Sequence, residues 1–383
     1  MAPPELAGPL AAAPREPLPD ALRALAMLAV LTVNAAGYLV APWGPLLGTR
    51  MPTDSAVAAA VQGLTAALLQ GKGYPMLAFL FGMGLWLAMR SHSAQSAHQR
   101  GVARQKKLLV LGPLHGVFVY FGDILTLYAL IGWHLLARVH EPWRALRRRL
   151  RRALWWALAA TALSITAMGG LAASGGLAAS PPAEGEPTLA LAHHWREFWG
   201  LNASAYFVVQ MGGLLLSWPL LRLCMLCGVA AARLRLLTHP RWRRALMRWT
   251  VRLAAPLLLL NGAYGLATVS VPVTSERAYW VESLGNLVGP PLAALYVMAL
   301  TLAAQGGRAT WCQWLAPLGR RTLTLYIGHS LLCVLLFAGV GLGLQPGTRD
   351  MAIFSLTLWC LALWAARASG TQSWPLEAWM AGR

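Results

Sequence analysis

The chain of 383 residues is 57% hydrophobic and 12% charged, and its formal net charge is +19. Its apolar residues lie in uncharged blocks of roughly 17 to 25 residues, the length that spans a bilayer core, which excludes an ordinary soluble domain. The basic residues lie in short segments between these blocks, so the charge indicates membrane topology and we expect no nucleic-acid partner.

Residues 1–19 precede the first apolar block and are rich in proline and alanine. They contain no basic segment followed by a short apolar core and a cleavage site. We therefore predict a disordered tail over 1–19, followed by a retained signal anchor and a single transmembrane domain over 20–383.

Ten apolar segments predict an all-α fold, a polytopic bundle of about ten transmembrane helices with both termini in the cytoplasm. The predicted spans are 21–40, 73–89, 108–122, 124–137, 153–172, 204–223, 253–270, 284–303, 322–343 and 352–366. Residues 173–203 form the predicted outer loop, and 367–383 form a cytoplasmic tail.

The basic residues agree with this topology. All but five of the 32 lysines and arginines fall in predicted cytoplasmic segments, as expected if positive loops stay inside. The five exceptions are Arg50, Lys72, Arg196, Arg277 and Arg349. The expected location is the bacterial inner membrane, with the lipid bilayer as a partner.

The stretch between Lys107 and Arg138 is too long for one span. Its 30 residues would form a helix of about 45 Å, half again the thickness of the hydrocarbon core. A single crossing would also place one basic flank on the wrong side of the membrane. We therefore predict a hairpin that turns at Gly122 and Asp123, below the outer surface.

Three polar residues of this hairpin are candidates for function. Asp123 precedes "ILTLYALIG" and is placed to cap the returning helix, or to take part in substrate binding or a proton relay. His115 and Tyr128 lie at nearly the same predicted height, so we expect them to face each other across the hairpin. Packing alone remains an alternative role for each.

Two other predicted spans carry polar stripes. In span one, Asp20, Arg23 and Asn34 lie on one helical face; Asp20 and Arg23 are expected to pair, whereas Asn34 lies deeper. In span nine, Tyr326 and His329 follow one face. We expect no metal site, since His193 and His194 are adjacent and do not share a helix face.

The ordered motifs "DALRALAMLAVLTVN", "GKGYPMLAFLFGMGL", "LLVLGPLHGVFVYFGDILTLYALIG", "GRRTLTLYIGHS" and "WPLEAWM" carry a family resemblance. The chain resembles the YeiB-like family of bacterial inner-membrane proteins, a domain-of-unknown-function family that is similar to membrane acyltransferases. The resemblance implies an acyl donor such as acetyl-CoA if the protein is an enzyme, and no other cofactor.

The chain departs from the family pattern at Ala24, Leu325, His329 and Trp374. It also lacks the histidine that the acyltransferase relatives carry between their first two spans, because residues 1–91 contain none. His115 is the candidate to replace it.

Three hypotheses about function remain open. The sequence slightly favours a transport-associated protein that moves a small molecule or envelope precursor through a polar cavity, with His115 and Asp123 as a relay beside Arg23, Tyr326 and His329. The second is an acyltransferase acting on a sugar or other envelope hydroxyl, with His115 as general base and Asn34 or Tyr128 polarising the acyl carbonyl. The third is a scaffold for envelope proteins; the oligomeric state is left open.

Overall fold

A computed structural model describes residues 16–40, 50, 51, 53–90, 94–173, 188–272, 275, 277–306 and 309–382. Over these residues the secondary structure consists of helices, without strands. The predicted all-α fold is therefore confirmed. Most of the predicted tail, 1–15, and nearly half of the predicted outer loop, 174–187, lie outside the described residues.

The described residues form fourteen α-helices. They are α1 (Pro17–Ala36), α2 (Ala56–Leu68), α3 (Gly73–Arg90), α4 (Ala94–Phe118), α5 (Leu125–Leu136), α6 (Trp143–Ala173), α7 (Trp195–Gly212), α8 (Trp218–Leu234), α9 (Arg243–Ser270), α10 (Arg277–Gln305), α11 (Thr310–Gly319), α12 (Thr322–Phe337), α13 (Thr348–Ala368) and α14 (Pro375–Ala381). A π-helical segment, Gly213–Ser217, joins α7 to α8, and a 3-10 turn, Pro240–Trp242, precedes α9.

Five helical segments are long and apolar enough to cross a membrane, by length and composition. They are Pro17–Ala36, Trp195–Leu234, Pro240–Ser270, Trp280–Gln305 and Thr348–Ala368. Two shorter helices, Leu125–Leu136 and Thr322–Phe337, are also apolar. These segments indicate a membrane protein.

Helix α1 lies at the centre of the bundle, and most of its residues are buried against α3, α11, α12 and α13. It begins at Pro17, inside the predicted tail, because the fixed φ of proline suits the first turn of a helix. The end of α11 packs closely on the start of α1, and this contact requires a glycine in α11. A Cβ on Gly319 would lie 1.7 Å from the carbonyl oxygen of Asp20.

One end of the bundle, here called the basic end, is held together by contacts of cationic side chains. Arg320 reaches Asp20 at 3.4 Å, and Arg233 donates to the carbonyl of Glu141 at 2.7 Å. Lys107 donates to the carbonyl of Trp379 in α14 at 2.5 Å. These contacts join the start of α1 to the start of α12, the end of α8 to the turn before α6, and α4 to the short helix α14.

The predicted hairpin is present as α4 and α5, joined by a turn over 119–124. About 13 residues of helical rise, roughly 20 Å, separate the start of α5 from Arg138. Tyr120, Phe121 and Asp123 are each at most 3% exposed, so the turn is enclosed by protein.

Several predicted boundaries differ from the structure. The predicted span 204–223 is part of one helical stretch from Trp195 to Leu234, so residues 195–203 of the predicted outer loop are helical. Helix α12 ends at Phe337 and not at 343, because Gly339 turns to donate to the carbonyl of Leu189 at 3.0 Å. Helix α2 lies where the sequence predicts no span.

Candidate functional site

The turn between α4 and α5 is organised by the side chain of Asp123. Its carboxylate accepts hydrogen bonds from the backbone N–H groups of Leu125, at 3.2 Å, and Thr126, at 2.9 Å, and from the Thr126 hydroxyl at 2.7 Å. The first N–H groups of a helix lack partners within it, and a carboxylate at this end satisfies them and suits the helix dipole. Asp123 therefore caps α5.

The same carboxylate holds His115. Nδ1 of His115 lies 3.1 Å from Oδ1 of Asp123, and both residues are 2% exposed. A carboxylate can only accept a hydrogen bond, so this contact assigns the proton to Nδ1 and leaves the lone pair on Nε2. Among the described residues, Nε2 of His115 has no hydrogen-bond partner.

Helix α12 brings two further predicted residues to this place. The rings of Tyr326 and His115 lie 4.9 Å apart between centroids. His329, one turn along α12, has its Nε2 3.5 Å from Sγ of Cys333, and its Nδ1 is buried without a partner in the described part of the chain. The histidine, the carboxylate and the tyrosine are thus in contact, with the second histidine next to them along α12.

Helix α7 covers the turn with three polar side chains that the sequence patterns above do not identify as site residues. The amide of Asn202 donates to the carbonyls of Gly116 and Val117, each at 2.8 Å, and accepts from the N–H of Phe121 at 2.8 Å. Gln210 donates to the carbonyl of Asp123 at 2.8 Å. Backbone turned inside an apolar bundle needs such partners, since no water replaces them.

The third of these side chains, Tyr206, has its hydroxyl 3.1 Å from that of Thr126. Asn202, Tyr206 and Gln210 follow each other at intervals of four, so they form a polar stripe on one face of α7. That spacing was a signal available in the sequence.

Asn34 is half-buried, and its amide nitrogen has no hydrogen-bond partner in the described residues. Asn34 lies about one helical turn before Tyr38, which follows the end of α1. The Tyr38 hydroxyl donates to the carbonyls of Val119, at 3.2 Å, and Ser330, at 3.1 Å. The chain just after α1, one turn beyond Asn34, therefore contacts the hairpin turn and α12.

Two predicted site residues have their contacts elsewhere. The Tyr128 hydroxyl donates to the carbonyl of Tyr74, and its ring packs edge-on against Phe81 at 5.7 Å, so Tyr128 contacts α3 and not His115. Arg23 pairs with Asp20, as expected, at the start of α1. It lies 11 residues, about 16 Å of helical rise, from Asn34.

The described residues were expected to hold no metal site. Within the described ranges, no group of three His, Cys, Asp or Glu side chains is arranged to hold a metal ion. Independently of any metal, Nε2 of His115 has no hydrogen-bond partner among the described residues and is suited to accept a proton, while Asp123 fixes the ring.

Comparisons with known proteins agree with the family resemblance. Residues 231–377 match the model of the DUF418 family, described as a protein of unknown function. The chain is also 31% identical over 128 residues to the uncharacterized protein YxaH of Bacillus subtilis (strain 168). That alignment covers 30% of this chain and 31% of the Bacillus protein, so the chain spans about a third of this relative's length.

The predicted resemblance to a domain-of-unknown-function family is confirmed by these matches. The DUF418 match includes Tyr326, His329 and the C-terminal Glu377, whereas the hairpin with His115 and Asp123 lies outside it.

Proposed function

We propose that this protein is a membrane acyltransferase in which His115, oriented by Asp123, is the general base. The observation that supports this most strongly is the buried contact of 3.1 Å between Nδ1 of His115 and Asp123, with Nε2 left without a partner among the described residues. A base whose second nitrogen is fixed by a carboxylate is the arrangement that activates a hydroxyl nucleophile.

The proposal includes a topology of ten membrane-embedded segments in the bacterial inner membrane, with both termini in the cytoplasm. Helices α1, α6, α9, α10, α12 and α13 would each cross, α2 with α3 and α7 with α8 would each form one further crossing, and α4 and α5 would form the hairpin. The cationic basic end supports this orientation, since positive segments stay in the cytoplasm. Exposed apolar side chains on outward faces, including Trp155, Leu215, Leu259 and Trp364, suit contact with lipid.

The proposed reaction transfers an acyl group from a thioester to an envelope hydroxyl, such as that of a sugar. Nε2 of His115 accepts the hydroxyl proton while the oxygen forms a bond to the carbonyl carbon. The carbon–sulfur bond then breaks, and the leaving thiolate takes the proton from the imidazolium. Asp123 keeps the ring in the required tautomer and stabilises its charged form.

Acetyl-CoA, or another anionic thioester, is the proposed donor. Its phosphate groups suit the basic end, because clustered arginine and lysine side chains attract phosphate. The exposed arginines of α6, Arg144, Arg147, Arg148, Arg151 and Arg152, contribute to this field.

Transport of a small molecule is the second candidate, and a specific observation favours it. The helical stretch from α2 to α3 is interrupted at residues 69–72, and the chain is interrupted a second time at the buried turn between α4 and α5. Interrupted helices at membrane depth are common where transporters bind substrates and ions. In this reading, His115 and Asp123 form a proton relay.

One pair of variants separates these functions. In His115→Asn, the amide nitrogen keeps a donor near Asp123, but no atom replaces Nε2. His98→Asn is the matched control, because His98 is exposed on the same helix α4. Purified protein in vesicles would be incubated with labelled acetyl-CoA and a bacterial envelope extract, and label in the extract and release of free thiol would be measured.

We expect transfer by the wild type and by His98→Asn, and its loss in His115→Asn. Equal transfer by His115→Asn and the wild type would contradict the role of His115. Proton-coupled uptake of a solute that depends on His115, without any release of thiol, would support transport instead.

A further inference from the structure

The interruption between α2 and α3 holds polar groups that the proposed reaction does not use. Gly71 has φ +77°, the left-handed region that favours glycine, and a Cβ there would lie 3.2 Å from the carbonyl oxygen of Gly285. On α10, a Cβ at Gly289 would lie 2.6 Å from the carbonyl oxygen of Gly71. The chain therefore bends where these glycines let the two backbones touch.

This bend lies within the bundle. A Cβ on Gly73, at the start of α3, would lie 2.9 Å from the carbonyl oxygen of Ala26. Ala26 precedes the end of α1 by ten residues, or about 15 Å of helical rise. The start of α3, next to Lys72, is consequently far from both ends of α1.

Lys72, the last residue of the bend, is 1% exposed. Its ammonium donates to the carbonyl of Ala66 at 2.7 Å and lies over the ring of Tyr264, 5.5 Å from the centroid. An ammonium has three donors, and this carbonyl is its only hydrogen-bond acceptor among the described residues.

A second buried cation, Arg50, is joined to the bend through Glu282 and Gln70. Arg50, 6% exposed, pairs through Nε with Oε1 of Glu282, which is 7% exposed, and donates to the carbonyl of Val271 at 2.9 Å. Gln70, two residues before Lys72, donates to Oε2 of the same glutamate at 3.1 Å. Nη2 of Arg50 is buried and has no partner within the described ranges.

The charges of this group do not balance. Lys72 and Arg50 are two cations. The described hydrogen bonds and ion pairs join one carboxylate, Glu282, to Arg50 and none to Lys72. A buried charge without a partner is strongly unfavourable in an apolar environment. The free Nη2 of Arg50 and the remaining donors of Lys72 are suited to bind the missing negative charge.

We propose that a small anion, a carboxylate or a phosphate group, binds between Lys72 and Arg50. This anion site comprises Arg50, Gln70, Lys72, Tyr264 and Glu282. The anion neutralises the pair of cations, while Glu282 holds Arg50 in position. The site does not depend on the acyl-transfer reaction, because none of its five residues contacts His115 or Asp123 through a described hydrogen bond.

The test uses the purified full chain in nanodiscs of phosphatidylcholine, with sodium phosphate or sodium acetate titrated at constant ionic strength. The readout is the midpoint of thermal unfolding. In a third arm, phosphatidylglycerol replaces part of the phosphatidylcholine without added phosphate, which distinguishes a lipid headgroup from a free anion.

For the wild type, we expect a saturable rise of the midpoint with at least one of these probes. In Lys72→Met, the concentration for half the effect should increase at least tenfold. Lys106→Met is the control, because it removes an exposed cation on α4 and should respond like the wild type.

Glu282→Gln tests the site even if Lys72→Met folds poorly. This change removes the negative charge that competes with the anion, while the amide oxygen still accepts from Arg50 and holds it in position. The half-effect concentration should therefore fall at least threefold. The proposal is overturned if no probe raises the midpoint of the wild type saturably, or if Lys72→Met and the wild type respond equally.

Discussion

Oδ1 of Asp123 lies 3.1 Å from Nδ1 of His115 and also accepts the N–H of Leu125 at 3.2 Å. One carboxylate therefore caps α5 and orients the histidine of α4. The capping of the helix and the proposed catalytic step depend on the same side chain, but different substitutions separate them.

Asp123→Asn should retain part of the cap, since the amide oxygen still accepts from the N–H groups of α5. The neutral amide no longer stabilises the imidazolium of His115. We expect acyl transfer to fall about 100-fold, within the range that a positioned base contributes. Thermal unfolding, measured in parallel, should shift less than in Asp123→Ala, because one of the two acceptor oxygens is kept; equal unfolding of the two variants would show that the cap requires the charge.

Asn202→Leu should destabilise the turn between α4 and α5. The substitution leaves the carbonyls of Gly116 and Val117 and the N–H of Phe121 without their partner, and each buried unsatisfied group costs about 1–3 kcal/mol. We expect a loss of about 2–4 kcal/mol in chemical unfolding in detergent. Ser204→Ala, an exposed change on the same helix, should leave stability unchanged; equal stability of the two variants would be incompatible with this role of Asn202.

Glu377→Ala should loosen the start of α12. Glu377 in α14 accepts the N–H groups of Leu323, at 2.9 Å, and Thr324, at 3.0 Å, so a distant helix supplies the cap. A lost cap of this kind costs about 1–2 kcal/mol. Hydrogen exchange of the first turn of α12 should increase.

Asp350→Ala is the matched control for Glu377→Ala. Asp350 lies in the first turn of α13, in an exposed pair with Arg349, and such pairs contribute little. If both variants leave the exchange of α12 unchanged, Glu377 does not stabilise that helix.

Stability should decrease in acid through Glu141, in the turn before α6. The hydrogen bond from Arg149 lowers the pKa of Glu141 below its ordinary value of 4.5. A carboxyl with a lowered pKa in the folded state stabilises the fold above its unfolded-state pKa, and this contribution is lost as pH falls through the folded-state pKa. Unfolding midpoints measured downward from about pH 5.5 should therefore fall less in Glu141→Gln than in the wild type; parallel curves would exclude this contribution.

The hairpin could be predicted from the sequence because its basic flanks and its length are incompatible with one crossing. The contacts that complete it could not. Asn202 and Gln210 lie more than 80 residues from the turn that they cover, and the even spacing of polar residues on α7 does not name their partners.

Tyr128 shows a different limit. The height of Tyr128 relative to His115 follows from the rise of a helix. The direction in which its side chain points depends on how α5 is rotated about its own axis, and this rotation is set by packing against α3, α4 and α8. That packing turns the Tyr128 hydroxyl to the carbonyl of Tyr74.

Arg50 and Lys72 were exceptions to the distribution of positive charge, and the sequence offered no reason for them. In the structure, Arg50 pairs with Glu282, which also accepts a hydrogen bond from Gln70 at the bend between α2 and α3. Lys72 is buried in the same bend, against the carbonyl of Ala66 and the ring of Tyr264. The distribution of charge identifies Arg50 and Lys72 as exceptions, whereas the residues that they contact can be identified only from the structure.

The decisive measurement is the rate of acyl transfer by His115→Asn, compared with the wild type at equal amounts of folded protein. We expect a rate at least 100-fold below that of the wild type and a similar unfolding midpoint, because the donor to Asp123 is kept and Nε2 is lost. A rate within threefold of the wild type would contradict the assignment of His115 as the general base.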